Sequence, residues 1–321
     1  MLSVIVVITS GENHLGRCLG ALSSQLKPPR MEIVVPVYAS MDDVSALRRD
    51  WPCVRFVDVG DEPPAGAGME HWQFDRRRAA GLAAARGDIV AMIEDHAIAG
   101  ERWSRALWDA HARLPYGAIG GSIACRGTSL LTRAIFYCDF LRYQPPFAPG
   151  PAGYASDVNI SYKRAAIERC RDTWRNFYHE TAVHAKIRGA GDTVYLAPEI
   201  AVAYDRGKLP LACALHQRFT WGRVFAGRRA QEAGRAARLA YTVLSPGLMP
   251  LLLIRKLLLL VRRRQPVMPY LSALPLTALC LLFWSLGEFT GYATAQPFSR
   301  VRPGTGCKIR GCPANSPADC F

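Results

Sequence analysis

Short apolar runs alternate with helical patterns through the first two thirds of the chain, and this alternation constrains the fold more than any other feature. Each run has the length of one strand, and apolar residues at helical spacing follow it. The apolar runs are Leu2–Ile8, Met31–Val35, Val54–Val59, Ile89–Ile93 and one near Ala118–Ala124. Helices are predicted near 15–22, 44–48, 69–86 and 102–113. This pattern predicts an α/β fold with a largely parallel central sheet and helices on both faces.

The fourth apolar run ends in three consecutive potential ligands, Glu94, Asp95 and His96. In open α/β sheets, ligands bind outside the carboxyl ends of the strands. Acidic and imidazole side chains at such a strand end indicate a site for a cation or a charged ligand. The alternative is a solvated turn after the strand, where acidic residues are also common. The triplet alone does not decide between these two interpretations.

The net charge of the 321-residue chain is +14, and most of it belongs to the last third. Residues 1–214 hold 25 basic and 23 acidic side chains, whereas residues 215–321 hold 15 basic and 3 acidic ones. A basic segment of this kind binds either nucleic acid or an anionic membrane surface. Leucine-rich stretches lie between the charges, so membrane lipids are the expected partner and nucleic acid is not.

Two apolar stretches in this last third predict membrane association. Residues 265–287 carry no charged side chain, and at about 1.5 Å per residue they can cross a hydrocarbon core of about 30 Å, although a buried core helix is the alternative. Thr242–Val261 contains Arg255 and Lys256, which favours an interfacial or re-entrant helix over one that crosses the membrane. The first residues lack the pattern of a signal peptide. The main domain is therefore expected on the cytoplasmic side of the cell membrane.

Further motifs follow one another along the chain in a specific order. They are Ser3–Ser10, Arg78–Gly87, Glu94-Asp95-His96, Asn159–Lys163, His179-Glu180 and His216–Arg223. In this order they resemble the family 2 inverting glycosyltransferases, which have the GT-A nucleotide-sugar-binding fold. The resemblance covers about residues 1–229. In it Glu94-Asp95-His96 falls at the place of the metal-binding DxD motif, and His179-Glu180 at the place of the acidic pair.

The resemblance implies a nucleotide-sugar donor bound at the ends of the first and fourth strands. The expected donor-binding residues are Thr9, Ser10, Glu12, Arg78, Glu94 and Asp95, although Ser10, Gly11 and Glu12 replace the Tyr/Asn-bearing turn that is usual in the family. Sugar transfer leaves negative charge on the nucleotide diphosphate, and a divalent cation stabilises that charge as a Lewis acid. Asp95 and His96 are the expected ligands of a Mn²⁺ or Mg²⁺ ion, and the histidine is better suited to Mn²⁺.

Glu180 is the predicted general base, because an acceptor hydroxyl group needs one within hydrogen-bond reach and a carboxylate commonly serves. Direct attack on the opposite face of the sugar inverts the anomeric centre. The alternative makes Glu180 an ordinary surface residue in the first turn of a helix. The same segment does not fit a zinc-peptidase helix, in which two histidines four residues apart share one face. His179 and His184 are five residues apart and lie about 140° apart around a helix.

The segment His216–Arg223 is similar to the one that closes the active site in membrane-bound members of the family. Gln217, Arg218 and Trp221 are expected to contact the diphosphate and the acceptor, the guanidinium as a phosphate clamp and the indole as a stacking wall. An amphipathic helix lying on the membrane is the alternative for this segment, and both can hold.

The second strand departs from the family pattern, since Val35-Pro36-Val37-Tyr38 replaces the paired aspartates that contact the nucleotide base. Asp42, Asp43 and Asp58 remain open candidates for that contact. The predicted function is a metal-dependent inverting glycosyltransferase that moves a sugar from a nucleotide-sugar donor to a lipid-linked or cell-envelope glycan acceptor. A catalytically silent, membrane-bound scaffold with a degenerate GT-A fold is the alternative.

The predicted domains follow from the same motifs. A GT-A domain is expected over 1–205 and a basic amphipathic segment that closes the active site over 206–240. Membrane-associated helices are expected over 241–295 and a weakly ordered tail over 296–321.

Overall fold

The computed structural model describes residues 1–9, 12–38, 44–60, 69–207 and 209–296, although the side chains of 12, 13, 44, 69–72 and 232 fall outside the description. The chain forms two compact units from interleaved segments. The first unit contains the described parts of Met1–Pro63, Trp72–Arg126 and Tyr143–Arg206. The second contains Gly127–Arg142, the described part of Pro64–His71 and the described residues from Gly207 onwards. Gly127–Arg142 thus groups with the second unit, although the sequence placed it in the first domain.

The strands that the structure describes form one nine-stranded sheet in the first unit. In chain order, β1 to β9 are Leu2–Val7, Met31–Val37, Val54–Asp58, Ile89–Glu94, Ala97–Ala99, Ala118–Cys125, Gly150–Ala152, Asn159–Lys163 and Val194–Tyr204. Eight strands lie side by side in the order β3-β2-β1-β4-β8-β6-β9-β5, and β7 pairs with β9. The predicted runs correspond to β1, β2, β3, β4 and β6.

The sheet is parallel on one side and mixed on the other. Strands β3, β2, β1 and β4 are parallel neighbours. In contrast, β8 runs antiparallel to both β4 and β6, and β5 and β7 run antiparallel to β9. The prediction of a mostly parallel sheet is therefore correct for β1–β4 and wrong for the other side, where only β6 and β9 pair in parallel. Pairing between distant segments sets these directions, and no local pattern in the sequence encodes it.

The helices connect the strands and build the second unit. In chain order, α1 to α12 are Glu12–Ser23, Val44–Asp50, Met69–Ala84, Trp103–Arg113, Leu130–Asp139, Arg164–Glu168, Arg171–Trp174, Glu180–Gly189, Leu211–Glu232, Arg235–Leu244, Leu248–Arg262 and Met268–Thr294. Short 3-10 turns lie at Leu141–Tyr143 and Ser245–Gly247. The helices predicted near 69–86 and 102–113 correspond to α3 and α4.

Strands β1 and β4 form the centre of the sheet, and all six residues of each are buried. Both faces of a parallel strand are covered, which is why these strands have continuous apolar sequences. The chain runs outwards from β1 through β2 to β3, and then returns to place β4 on the other side of β1. The crevice outside the carboxyl ends of β1 and β4 is therefore a topological switch point, where ligands bind in sheets of this kind.

In the second unit, α9 and α12 approach each other at three glycines. A Cβ atom on Gly287 would overlap the carbonyl oxygen of Phe219, and one on Gly222 would overlap that of Trp284. A Cβ atom on Gly291 would meet the backbone of α9 in the same way. Glycine at these positions lets the two helix backbones approach more closely than any larger residue allows.

Charged side chains attach α5 to its neighbours in the second unit. Arg218 on α9 is 2% exposed and donates two hydrogen bonds of 2.6 Å to the carboxylate of Asp139 at the end of α5. Lys256 on α11 donates to the carbonyl oxygens of Tyr137 and Cys138 at 2.7 and 2.8 Å. These carbonyls belong to the last turn of α5, where a cation also interacts favourably with the helix dipole.

Among the described residues of the second unit, two helices are long and apolar enough to cross a membrane, judged by length and composition alone. They are Met268–Thr294, which is α12, and Arg235–Arg262, which combines α10, a 3-10 turn and α11. In the most apolar 18-residue segment of each helix, 39% of the residues are buried in Met268–Thr294 and 11% in Arg235–Arg262. Large apolar side chains are exposed along α11, among them Leu251, Ile254 and Leu258. These two helices contain the apolar stretches from which the sequence predicted membrane-associated helices over 241–295.

Candidate functional site

The carboxyl ends of β1 and β4 are joined by a network around Asp95. The backbone N–H and the hydroxyl group of Thr9 both donate to Asp95 Oδ1 at 2.9 Å. Burial acts to raise the pKa of the Asp95 carboxyl group, but its hydrogen bonds with His96 and Thr9 outweigh it and the pKa is lowered. Asp95 is therefore a buried carboxylate that holds the turn after β1 against the end of β4.

His96 lies beside this pair and faces Glu94. Its Nδ1 atom is 3.1 Å from the hydroxyl oxygen of Thr9, and its Nε2 atom is 3.2 Å from Glu94 Oε2. Nδ1 also lies 3.7 Å from Asp95 Oδ1. The imidazole is therefore held between Thr9 and two carboxyl groups, and Nε2 and Glu94 Oε2 are close enough to bind one cation together.

Arg78 lies at the centre of a second, larger network. Its side chain donates to Glu94 at 2.5 Å, to Asp157 at 2.7 Å and to Asp75 at 3.3 Å. The guanidinium is buried, which acts to lower its pKa, but these carboxylates raise the pKa further than burial lowers it. Arg78 is thus a permanent cation that holds three acidic side chains together beside the switch point.

Glu180 joins the same network through Asp157. The backbone N–H of Asp157 donates to Glu180 Oε2 at 3.1 Å. Burial and the negative charge of Asp157 raise the pKa of the Glu180 carboxyl group well above its ordinary value. Glu180 is the first residue of α8, as the alternative interpretation expected, but it is half-buried and faces charged partners. The network thus runs continuously from Glu94 at the end of β4 to Glu180.

The sequence prediction missed Asp157 and Asp75. In the register of the sheet, Asn159 at the start of β8 pairs with Ile93 near the end of β4. Because β8 runs antiparallel, the residues just before it lie beside the carboxyl end of β4. Knowledge of the direction of β8 would have placed Asp157 at the site. Asp75 and Arg78 are three residues apart on α3, so their side chains share one face of the helix. This spacing could have indicated their contact.

A buried group of hydrogen-bonded side chains lies behind Glu180. The hydroxyl group of Tyr162 is 2.6 Å from that of Tyr178 and 2.7 Å from Nε2 of His184. Burial lowers the pKa of His184 to about 4, so this imidazole is neutral at pH 7. Burial also raises the pKa values of both tyrosines well above normal. These three groups are therefore uncharged at pH 7, and the two tyrosines lie within electrostatic range of Glu180.

An aromatic side chain follows β2 in place of paired acids, and a basic side chain of α3 lies over its ring. Tyr38 is buried directly after the strand, and the guanidinium of Arg77 lies 4.9 Å from the centre of its ring. Arg77 also donates to the carbonyl oxygen of Ile8 at 2.6 Å. Of the three candidates for base recognition, Asp42 and Asp43 lie outside the described residues. Asp58 accepts a hydrogen bond from the backbone of Gly60 at 2.8 Å.

The structure brings together Thr9, Arg78, Glu94, Asp95, His96 and Glu180. Ser10 and the side chain of Glu12 lie outside the described residues, so their predicted donor contacts stay predictions. Gln217, Arg218 and Trp221 belong to the second unit, and the guanidinium of Arg218 lies 5.1 Å from the centre of the Trp221 ring. The ion pair with Asp139 engages both terminal nitrogens of Arg218. The predicted role of these three residues at the diphosphate and acceptor stays a prediction.

The side chains at the switch point offer few potential ligands to a metal ion. Within the described ranges, no group of three or more His, Cys, Asp and Glu side chains is arranged to hold a metal ion. The side chains closest to such an arrangement are His96 and Glu94, because Nε2 and Oε2 converge at 3.2 Å. In contrast, Asp95 directs Oδ1 at Thr9. Two protein ligands are sufficient for a cation that also binds substrate phosphates.

Comparison with known proteins gives two results. No protein-family model matches the chain, and no curated protein does. Among solved structures, the mannosyltransferase PcManGT from Pyrobaculum calidifontis in complex with GDP-Man and Mn²⁺ is similar, at 17% identity and a TM-score of 0.47, over 92% of this chain and 85% of that one. S. aureus TarS 1-349 is similar at 15% identity and a TM-score of 0.44, over 70% of this chain and 64% of that one. Likenesses at this level assign neither a family nor an activity.

Proposed function

We propose that the protein is a metal-dependent inverting glycosyltransferase of the cell membrane. It moves a sugar from a nucleotide-sugar donor to a lipid-linked or cell-envelope glycan acceptor, with its first unit on the cytoplasmic side. One observation carries this proposal: a continuous network of charged side chains connects Glu94, at the switch point of the sheet, with the carboxyl group of Glu180. Donor-side and acceptor-side chemistry are therefore adjacent within one unit.

The donor diphosphate would bind outside the carboxyl ends of β1 and β4, at the switch point of the sheet. Glu94 and His96 are the residues that would hold a divalent cation there, and Asp95 supports them by fixing the turn at Thr9. When bound, such a cation neutralises the charge that develops on the leaving diphosphate. The histidine nitrogen favours Mn²⁺ over Mg²⁺, because Mg²⁺ prefers a shell of oxygen ligands. Asp95 itself is better suited to positioning than to direct ligation.

Glu180 is the proposed general base. In its ionised form it accepts the proton of the acceptor hydroxyl group while the oxygen attacks the anomeric carbon. The attack comes from the face opposite the leaving diphosphate, and the configuration at that carbon is therefore inverted. A carboxyl group with a raised pKa is a stronger base once it is ionised. The burial and the Asp157 charge around Glu180 supply that property.

The second unit is the part of the chain proposed to associate with the membrane that carries a lipid-linked acceptor. The exposed leucines and isoleucine of α11 offer an apolar face, while Lys256 is directed towards α5. We expect Leu258→Glu to reduce flotation of the protein with vesicles that contain anionic lipid at least several-fold, because it places a charge in the apolar layer. Arg105→Glu on the first unit is the matched control and should float like the wild type. Equal flotation of the two variants would contradict a membrane role for α11.

The enzymatic proposal is tested by turnover of nucleotide sugars. Purified protein is incubated with a panel of donors and a membrane-extract acceptor, with and without Mn²⁺ or Mg²⁺, and release of nucleotide is measured. Glu180→Gln is expected to lower kcat at least about 100-fold, the range of a lost general base. Asp95→Asn should weaken metal-dependent turnover. Asp172→Asn, an exposed residue that pairs with Lys186, is the matched control and should retain wild-type rates.

A catalytically silent binding or scaffold protein is the second candidate, and two features favour it. The end of β2 lacks the paired acids, and Arg78 and Asp95 are already engaged by protein groups. A silent protein would gain thermal stability with a nucleotide sugar but release no nucleotide with any acceptor. Turnover that depends on Glu180 would exclude this candidate.

A further inference from the structure

A pocket lies at the amino end of β4, away from the candidate site. It has a volume of about 490 Å³, a size that suits a small molecule. Ile89 is the first residue of β4 and pairs with Lys163 at the end of β8, and both line the pocket. Glu94 lies five residues further along β4, about 16 Å away at about 3.3 Å per residue. The pocket is therefore separate from the network around Arg78.

Helix α4 gives the pocket an aromatic wall. Trp108, His111 and Ala112 line the pocket, and spacings of three and four residues place them on one face of the helix. Trp108 is half-buried. Its indole therefore offers a flat apolar surface on which another aromatic ring can stack.

Two basic residues, Lys163 and Arg164, line the pocket where β8 ends and α6 begins. Lys163 Nζ donates to the carbonyl oxygen of Leu114 at 2.8 Å, and no carboxylate of the described residues pairs with it. Arg164 Nε donates to the carbonyl oxygen of Gly87 at 2.6 Å, and Nη1 lies 3.5 Å from Glu168 Oε1. The Nη2 atom of Arg164 is buried, and nothing in the described part of the chain accepts from it.

Asp88 is the acidic side chain that lines the pocket, and its charge is balanced. Its Oδ2 atom lies 2.7 Å from the amino group of Met1. The charge of Lys163 and part of the hydrogen-bonding capacity of Arg164 remain available. The pocket therefore favours an anion, because ammonium and guanidinium groups both bind carboxylate and phosphate oxygens.

His111 adds a hydrogen-bond acceptor to the pocket. Its Nε2 atom lies 2.8 Å from the hydroxyl oxygen of Ser161, and that hydroxyl group donates to the carbonyl oxygen of Ile119 at 2.9 Å. The hydroxyl oxygen therefore accepts from Nε2, which carries the proton. Burial and the charge of Lys163 lower the pKa of His111 to about 3, so the ring is neutral at pH 7 and Nδ1 is an acceptor. His111 is 4% exposed, and among the described residues none donates to Nδ1.

We propose that this pocket binds a small aromatic anion whose ring carries an N–H donor, which is the chemistry of a nucleotide. The ring stacks on Trp108, and the anionic group binds Lys163 and Arg164. An N–H group on the ring supplies a donor for His111, since buried acceptors are normally paired. Binding here does not depend on the proposed function, because the pocket lies at the other end of β4 from the residues assigned to sugar transfer.

The test is fluorine NMR of the purified full chain labelled with fluorotryptophan, with the Trp108 signal assigned by Trp108→Phe. The probes are the monophosphates of adenosine, guanosine, cytidine and uridine, together with anthranilate, an aromatic carboxylate that also carries an N–H group. Inorganic phosphate is the anion without a ring. At least one aromatic anion should shift the Trp108 signal in a saturable way, and phosphate should bind at least about tenfold more weakly.

Arg164→Met should weaken this binding at least about tenfold, because it removes a charge-assisted contact with the anion. Arg169→Met is the matched control, since Arg169 pairs with Asp192 at 3.1 Å and does not line the pocket, and it should bind like the wild type. Ala112→Phe covers the case in which Arg164→Met folds poorly. It places a bulky ring at an exposed position of the wall, leaves the contacts of both basic residues intact, and should also weaken binding at least about tenfold.

A Trp108 signal that no probe shifts, or equal affinity of Arg164→Met and Arg169→Met, would overturn the proposal. Phosphate that binds as tightly as every aromatic anion would overturn it too, because the ring would then contribute nothing. Tighter binding of a nucleotide than of anthranilate, or the reverse, supports the pocket and identifies the source of the anion. A nucleotide that shifts other tryptophan signals but not that of Trp108 binds elsewhere, which overturns this proposal and leaves the enzymatic one standing. A shift at Trp108 without turnover of any donor supports the pocket while the enzymatic proposal fails.

Discussion

Asn159 fixes the junction of three strands, and its removal should be one of the most damaging single changes in the first unit. The side chain is buried at the start of β8. Its Oδ1 accepts from the indole Nε1 of Trp103 at 2.9 Å, and its Nδ2 donates to the carbonyl oxygens of Ser122 and Ile200 at 2.9 and 2.8 Å. These carbonyls lie where the pairing of β6 and β9 shifts register after Gly121. The amide therefore replaces the backbone hydrogen bonds that the irregular ladder cannot make.

Asn159→Ala removes three buried hydrogen bonds and leaves one indole donor and two carbonyl acceptors without them. At about 1 kcal/mol of net stability for each bond, the loss is about 3 kcal/mol. The full desolvation cost of buried groups left unpaired raises this to about 5 kcal/mol. Asn159→Asp should be at least as harmful, because it directs carboxylate oxygen at two carbonyl oxygens.

The assay is urea unfolding of the purified protein followed by circular dichroism, with the midpoint and slope fitted for each variant. Asn176→Ala is the matched control, since this asparagine is exposed, and it should change stability by no more than about 0.5 kcal/mol. A loss below about 1 kcal/mol in Asn159→Ala, or one equal to that of Asn176→Ala, would refute the reasoning.

Two further predictions concern Glu180 and the packing of the second unit. The folded state raises the pKa of Glu180, so this carboxyl group contributes stability below its unfolded pKa, and the contribution is lost as pH rises through the folded value. Glu180→Gln should therefore gain stability relative to the wild type as pH rises from 4 to 8, measured by melting temperature; a gap independent of pH would contradict this. Gly287→Ala should lower the melting temperature in detergent and cost about 1–3 kcal/mol, because the methyl group overlaps the backbone of α9. Gly247→Ala, where a Cβ atom meets nothing within 4 Å, is the control, and equal effects would refute the packing argument.

The parallel half of the first unit could be predicted from the sequence because its strands carry their own signals. Strands β1 and β4 are buried on both faces and have continuous apolar sequences, and a helical pattern follows β1. The position of Glu94 at the end of β4 followed directly. In the other half, the sequence predicted β6 but not β5 and β7, which are three residues long, or the antiparallel direction of β8, which its pairing with β4 and β6 sets.

Only part of the candidate site could be predicted from the sequence. Residues next to a recognisable strand end, such as Asp95 and His96, lie where the strand pattern placed them. Asp157 was missed because its location depends on the direction of β8, and that direction comes from pairing with β4. The engagement of Arg78 by three acids was also beyond the sequence, since two of them lie far from it along the chain. Charge networks assembled from distant segments leave no local pattern.

The interleaving of the two units has a practical consequence for anyone who shortens the chain. The segment Gly127–Arg142, with α5, leaves the first unit and returns to it before β7 begins. Cutting after Arg206 would therefore keep α5 while discarding the partners of Asp139 and of the carbonyl groups at its end, Arg218 and Lys256. A fragment made in this way would carry α5 without the two cations that bind Asp139 and the carbonyl groups of its last turn. Removing the chain after Arg206 is therefore not enough to isolate the first unit, because Gly127–Arg142 and the described part of Pro64–His71 also belong to the second.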